Sequence, residues 1–168
     1  WLDADEFLVC NMNFIDLLND FIFSKYNVMH INWLIYTGIE SKTTSNLVRD
    51  RFKTPMIPIN GNFGYFKSGN RVGKCIFKTD LNPTWRNTHM PNCNYIPCDT
   101  DFNRIIKSCY SNNIKHDKMY IEHYITKTRK EFEIKMRREG LVDSNYNHYN
   151  ENFFKQFNPD NIYNKNVR

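Results

Sequence analysis

The chain has 168 residues, 40% of them hydrophobic and 24% charged, ordinary globular composition and length enough for one domain with a real core. Its net charge of +5 is mild and spread along the chain, which suits an anionic ligand such as a nucleotide diphosphate and is too scattered to argue for nucleic acid. No apolar run approaches the roughly 18 residues that a membrane span needs, and no signal peptide is legible, so a membrane anchor is expected only outside this chain.

The first stretch reads Trp1-Leu2-Asp3-Ala4-Asp5-Glu6-Phe7-Leu8-Val9, an acidic break in an apolar run. Carboxylates are costly to bury without partners. At a strand end Asp3 and Asp5 either converge on one hard cation or form an acidic surface turn. Asn13 then caps a helix in which Phe14, Ile15, Leu17, Leu18, Phe21 and Ile22 recur at helical spacing, to about Lys25. Val28 to Tyr36 is rich in strand formers and is stopped by Gly38. On that strand His30 is expected to have no ligand role, while Trp33 either packs in the core or offers its ring to a ligand. Asn46 to Phe52 reads as a short helical turn whose Arg49 and Arg51 face solvent or reach a diphosphate. From Thr54 to Gly73 the chain is rich in Pro, Gly and Asn and is read as an irregular segment. Its Asn60-Gly61-Asn62-Phe63-Gly64 lacks the ending of a phosphate-binding P-loop.

Val72 to Lys78 is the next expected strand, followed by a loop through Asp80 to His89. Met119 to Tyr124 alternates like a strand. Thr128 with Glu131 then makes a capping box for a helix ending near Gly140. In the tail, Phe153, Phe154 and Phe157 suit a short aromatic helix docking on the domain. Five cysteines leave at least one thiol unpaired within the chain. Cys93 and Cys98 are spaced wrongly for a zinc knuckle, and a disulfide between them would need an oxidising lumen.

Three of these stretches, in order, resemble the GT-A-fold glycosyltransferases, closest to the family 92-like and family 2-like group with a D-x-D-E-F motif. The first is Asp3-Ala4-Asp5-Glu6-Phe7-Leu8. The second is Lys74-x-Ile76-x-Lys78 leading to His89. The third is His123-Tyr124 with Lys127, Thr128, Glu131, Phe132 and Lys135. The likeness spans Trp1 to about Phe157, departs from the family between Asn92 and Tyr110, and has one extra residue at Arg138-Glu139-Gly140.

The resemblance implies an α/β chain forming the C-terminal part of a GT-A fold, with a mixed sheet and flanking helices. The N-terminal nucleotide-binding half is then missing, lying before Trp1. Residues 1–145 are expected to be the partial transferase domain and 146–168 an aromatic tail packed on it. The implied function is metal-dependent transfer of a sugar from a nucleotide-diphosphate sugar to a glycan, protein or lipid. The alternative is a non-catalytic relative that acts as a binding module. Asp3, Asp5 and His123 are the implied ligands of Mn2+ or Mg2+, with His89 the other histidine candidate. Asp3, Asp5, Lys74, His89 and Lys127 are the implied contacts to the donor, and Glu6 is expected to orient the acidic loop. An inverting enzyme also needs a carboxylate base, for which Glu40, Asp80 and Glu122 are the candidates. Such enzymes work in the Golgi or other secretory membranes of eukaryotes, and in the cytoplasm if bacterial or viral.

Overall fold

The computed structural model describes residues 2–56, 69–81, 84–85, 89, 91–92, 95–106, 110–111, 113–139 and 149–157. The chain divides into two compact units, Trp1–Leu34 with Pro58–His123, and Ile35–Ile57 with Tyr124–Arg168. The architecture is α/β, with a mixed sheet and flanking helices.

The sheet belongs to the first unit. Strand β1 (Glu6–Cys10) leaves the acidic turn, and α1 (Phe14–Phe23) follows it directly. Asn13 caps α1 through its side-chain oxygen, which accepts from Ile15 N at 2.9 Å and Asp16 N at 3.3 Å. Leu17 and Phe21, one turn apart, are the buried residues of that helix. It ends at Phe23, a little short of the expected Lys25, because Ser24 turns the chain and its N–H donates to Phe21 O at 3.1 Å.

Strand β2 (Val28–Ile35) is central and buried along almost its whole length. Such a strand reads as a continuous run rather than an alternation. Its polar residues are paired. Asn32 Nδ2 donates to Asn70 O at 2.8 Å, and its side-chain oxygen accepts from Lys115 N at 3.1 Å. The His30 ring lies 3.2 Å from Arg71 O, so this histidine is a core group, as its place on the strand suggested.

Strand β3 (Gly73–Phe77) pairs antiparallel with β2, setting Lys74 opposite Ile31. Only glycine fits where β3 begins: a Cβ on Gly73 would sit 1.8 Å from Ile31 O. Two short strands, β4 (Thr84–Trp85) and β5 (Pro91–Asn92), form a ribbon of their own. Strand β6 (Pro97–Cys98) pairs parallel with the start of β2, and Cys98 is a buried free thiol. The Cys93–Cys98 bridge is therefore not formed; Cys93 itself lies outside the described residues. Strand β7 (Met119–His123) pairs antiparallel with β1, and the order is β1-β7-β2-β3.

In the second unit, α2 (Val48–Arg51) is the expected short turn, and α3 (Arg129–Glu139) is the capped helix. Its capping box is reciprocal. Thr128 N donates to Glu131 Oε2 at 3.2 Å and Glu131 N donates to Thr128 Oγ1 at 3.3 Å. Helix α4 (Glu151–Gln156) is capped by Asn150. Phe132 of α3 stacks on Phe153 of α4 with ring centroids 5.9 Å apart. The irregular segment at 57–68 and the end of the tail at 158–168 lie outside the described residues. Among the described residues no helix is long and apolar enough to cross a membrane.

Candidate functional site

The acidic stretch is a turn, not an extended strand, so Asp3 and Asp5 are not held to one strand face. Glu6 closes the turn twice. Its N–H donates to Asp3 O at 3.0 Å, and its Oε2 accepts from Asp3 N at 2.9 Å. Glu6 is the first residue of β1 and its side chain has 0% exposure, whereas Asp3 keeps 57%. Lys74 reaches both carboxylates from β3, with its Nζ 2.9 Å from Asp3 Oδ2 and 3.3 Å from Glu6 Oε2. Burial pushes the Glu6 carboxyl above its ordinary range; the Asp3 N–H and the Lys74 charge oppose that shift without cancelling it.

The pairing of β1 with β7 sets Glu6 directly opposite His123. Cross-strand partners share a face, so one side of the sheet carries both. His123 Nε2 lies 3.9 Å from Asp5 Oδ1. The Trp33 ring packs on His123 with centroids 4.4 Å apart and meets His89 edge-on at 5.3 Å. Trp33 is two residues on from Ile31, the partner of Lys74, so Trp33 and Lys74 also share a face. The main chain beneath is pinned: Trp33 N donates to Val72 O at 2.9 Å, and His116 Nε2–H donates to Trp33 O at 2.9 Å. His89 Nδ1 lies 3.1 Å from Gly73 O, a contact that requires the Nδ1–H tautomer. Burial first, and then the nearby Lys74 charge, lower the His89 pKa and keep the ring neutral.

Asp3, Asp5, Lys74, His89 and His123 thus meet in one unit, although the sequence scatters them from its first turn to its last strand. Lys127 belongs to the second unit, where its backbone has φ of 54° and its carbonyl would lie 2.5 Å from a Cβ on Gly38. Of the candidate bases, Glu122 follows the alternation to the opposite face from His123, against Phe7. Glu40 lies in the second unit, bound to Arg51 at 2.5 Å. Arg51 is in turn held by Glu131 and does not face solvent alone. Asp80 is exposed in the 3-10 turn Thr79–Leu81. The centre of the cluster is Glu6, which sequence reasoning treated as a supporting residue. Its burial is set by strand pairing, which the local sequence does not announce.

The fit to a divalent cation is a matter of donors and spacing. Two ligand atoms on one such ion, with bonds of about 2.0–2.2 Å, lie no more than about 4.4 Å apart. The 3.9 Å between Asp5 Oδ1 and His123 Nε2 falls within that reach, and a carboxylate with an imidazole suits Mn2+. Asp3 is turned to the Lys74 ammonium instead. Among the described residues no three His, Cys, Asp or Glu side chains converge as a metal group, so this protein surface offers two ligands. A hard cation commonly completes its shell with substrate oxygens and water. Compared with family models, with curated proteins and with solved structures, the chain matches none.

Proposed function

We propose that the protein is a metal-dependent glycosyltransferase, moving a sugar from a nucleotide-diphosphate donor to a hydroxyl of a glycan, protein or lipid. The observation that carries this reading is the approach of Asp5 to His123 at 3.9 Å, with the acidic turn held beside them. The three ordered motifs that resemble GT-A enzymes support it.

Mn2+ or Mg2+ between Asp5, His123 and the donor would supply a Lewis acid for the leaving diphosphate. The chain's own groups do the positioning. Glu6 closes the turn that presents Asp5. Lys74 offsets part of the negative charge of Asp3 and Glu6, which lessens the turn's repulsion of an anionic donor. Trp33 packs on the His123 ring and fixes its plane. The buried, neutral His89 supports Trp33 from its other contact.

The first test is Mn2+ binding, measured by electron paramagnetic resonance on the full chain. Asp5→Ala and His123→Ala are each expected to weaken Mn2+ binding by roughly tenfold or more, and to abolish metal-dependent hydrolysis of UDP-sugars. Both variants should keep the wild-type circular dichroism spectrum. Hydrolysis that survives Asp5→Ala would sink the metal role.

A second reading rests on the salt bridges of Lys74. Its ammonium already sits between two carboxylates, as a resident cation would, and this favours a relative that keeps the fold and binds ligand without turnover. Donor binding that needs no divalent ion and is lost in Lys74→Met would select that reading.

A further inference from the structure

Helix α1 carries a second apolar face that its own packing does not use. Leu17 and Phe21 are its buried residues. Ile15 and Ile22 lie on another side of the same helix, 60% and 56% exposed, and Phe23 at its end is 88% exposed. A surface helix normally buries one apolar stripe and gives polar groups to water elsewhere, and clustered exposed apolar residues mark a surface that meets something. This second stripe is ordered. Ile15, half-buried Leu18 and Ile22 are spaced three and then four residues apart, the step of a seam between two helices. Asp16 and Asp20 lie roughly 110° or more around the helix from that line, at about 100° per residue, so the seam itself carries no charge. A lipid surface fits poorly, because α1 has two aspartates and no lysine or arginine to meet phosphate headgroups.

We infer that α1 pairs antiparallel with α1 of a second copy of this chain, in a two-fold dimer. The seam is self-complementary. A two-fold centred between Leu18 and Asn19 sets Ile15 against Ile22 of the second copy, and Ile22 against its Ile15. It brings the two Leu18 side chains together on one side of the seam. On the other side it brings together the two exposed Asn19 amides, each able to donate to and accept from its equivalent. The charges point the same way. Lys25, exposed just beyond the end of the helix, falls level with the first turn of the second copy, where Asp16 is exposed, and the two-fold makes that approach twice. A parallel pair would instead set Asp16 beside Asp16 and Lys25 beside Lys25. Antiparallel alignment also puts each helix N-terminus beside the other's C-terminus, where the two dipoles attract. The helix has 10 residues and is about 15 Å long, less than a standard interface needs, so the dimer is weak, with a dissociation constant of roughly 10–100 μM.

The test is sedimentation velocity on the full chain, from low micromolar to several hundred micromolar protein. The monomer is expected to give way to a species of twice its mass as concentration rises. Ile15→Lys and Ile22→Glu should each raise the dissociation constant roughly tenfold or more. Both side chains are exposed, so each variant should keep the wild-type circular dichroism spectrum. Combining the two substitutions in one chain should recover most of the lost affinity, because antiparallel pairing sets each new charge against its opposite. A chain that stays monomeric over the whole range would overturn the inference. So would a dimer unaffected by either single variant, which would place the interface on another face. A double variant no better than the singles would overturn the antiparallel pairing. Binding of the monomer to phosphatidylcholine vesicles, lost in Ile22→Glu, would overturn the inference in favour of a lipid surface.

Discussion

At the scale of single residues, the chemistry centres on Lys74 and Glu6. Their ion pair is almost wholly removed from water, with side-chain exposures of 5% and 0%. Removing one partner of a buried pair leaves an uncompensated charge, whereas removing both is nearly neutral. Lys74→Met is therefore expected to destabilise the fold by about 3 kcal/mol, and adding Glu6→Gln should recover more than half of that loss. Chemical denaturation of the single and double variants reads this directly. Independent, additive losses would show that the two groups do not act as a pair.

At the scale of elements, α3 is organised by its first turn. Thr128 and Glu131 cap each other, and Arg51 holds Glu131 with two bonds of 3.0 and 2.8 Å. Burial works against ionisation of Glu131, but the Arg51 fork and the Thr128 hydroxyl and N–H outweigh it and hold the carboxyl at about 2. The folded pKa lies below the ordinary 4.5, so this contribution to stability is fully present above pH 4.5 and is lost as pH falls from there towards 2. Thr128→Ala should cost about 1 kcal/mol at neutral pH. Arg51→Met should flatten the acid limb of stability over that window, as measured by thermal melts at stepped pH. An acid limb unchanged by Arg51→Met would assign it to other carboxylates.

At the scale of the whole molecule, packing between distant segments sets limits that no local pattern carries. Gly73 begins β3 against the β2 backbone, where a Cβ would lie 1.8 Å from Ile31 O. Backbone cannot give way as a side-chain end can. Gly73→Ala should cost about 3 kcal/mol, lowering the melting temperature by roughly 6–12 °C, and should weaken Mn2+ binding because Lys74 is the next residue. A melting temperature within about 2 °C of wild type would show that the strands can separate there without loss.

The sequence by itself determined the elements whose causes are local. The Asn13 and Thr128 caps, the apolar stripe of α1, the strand-forming run of β2 and the aromatic tail all act within a few residues. Each falls close to where the spacing puts it. Motif order also singled out Asp3, Asp5, Lys74, His89 and His123. What only the tertiary structure decided is what those residues do to one another. Pairing of β1 with β7 buries Glu6 and sets it opposite His123. The reach of Lys74 from β3 takes Asp3 for a salt bridge, and Trp33 is left in contact with two imidazoles and almost out of solvent. The reason is physical: hydrogen-bond satisfaction and burial belong to pairs of groups, and these pairs are made by strands far apart in the chain.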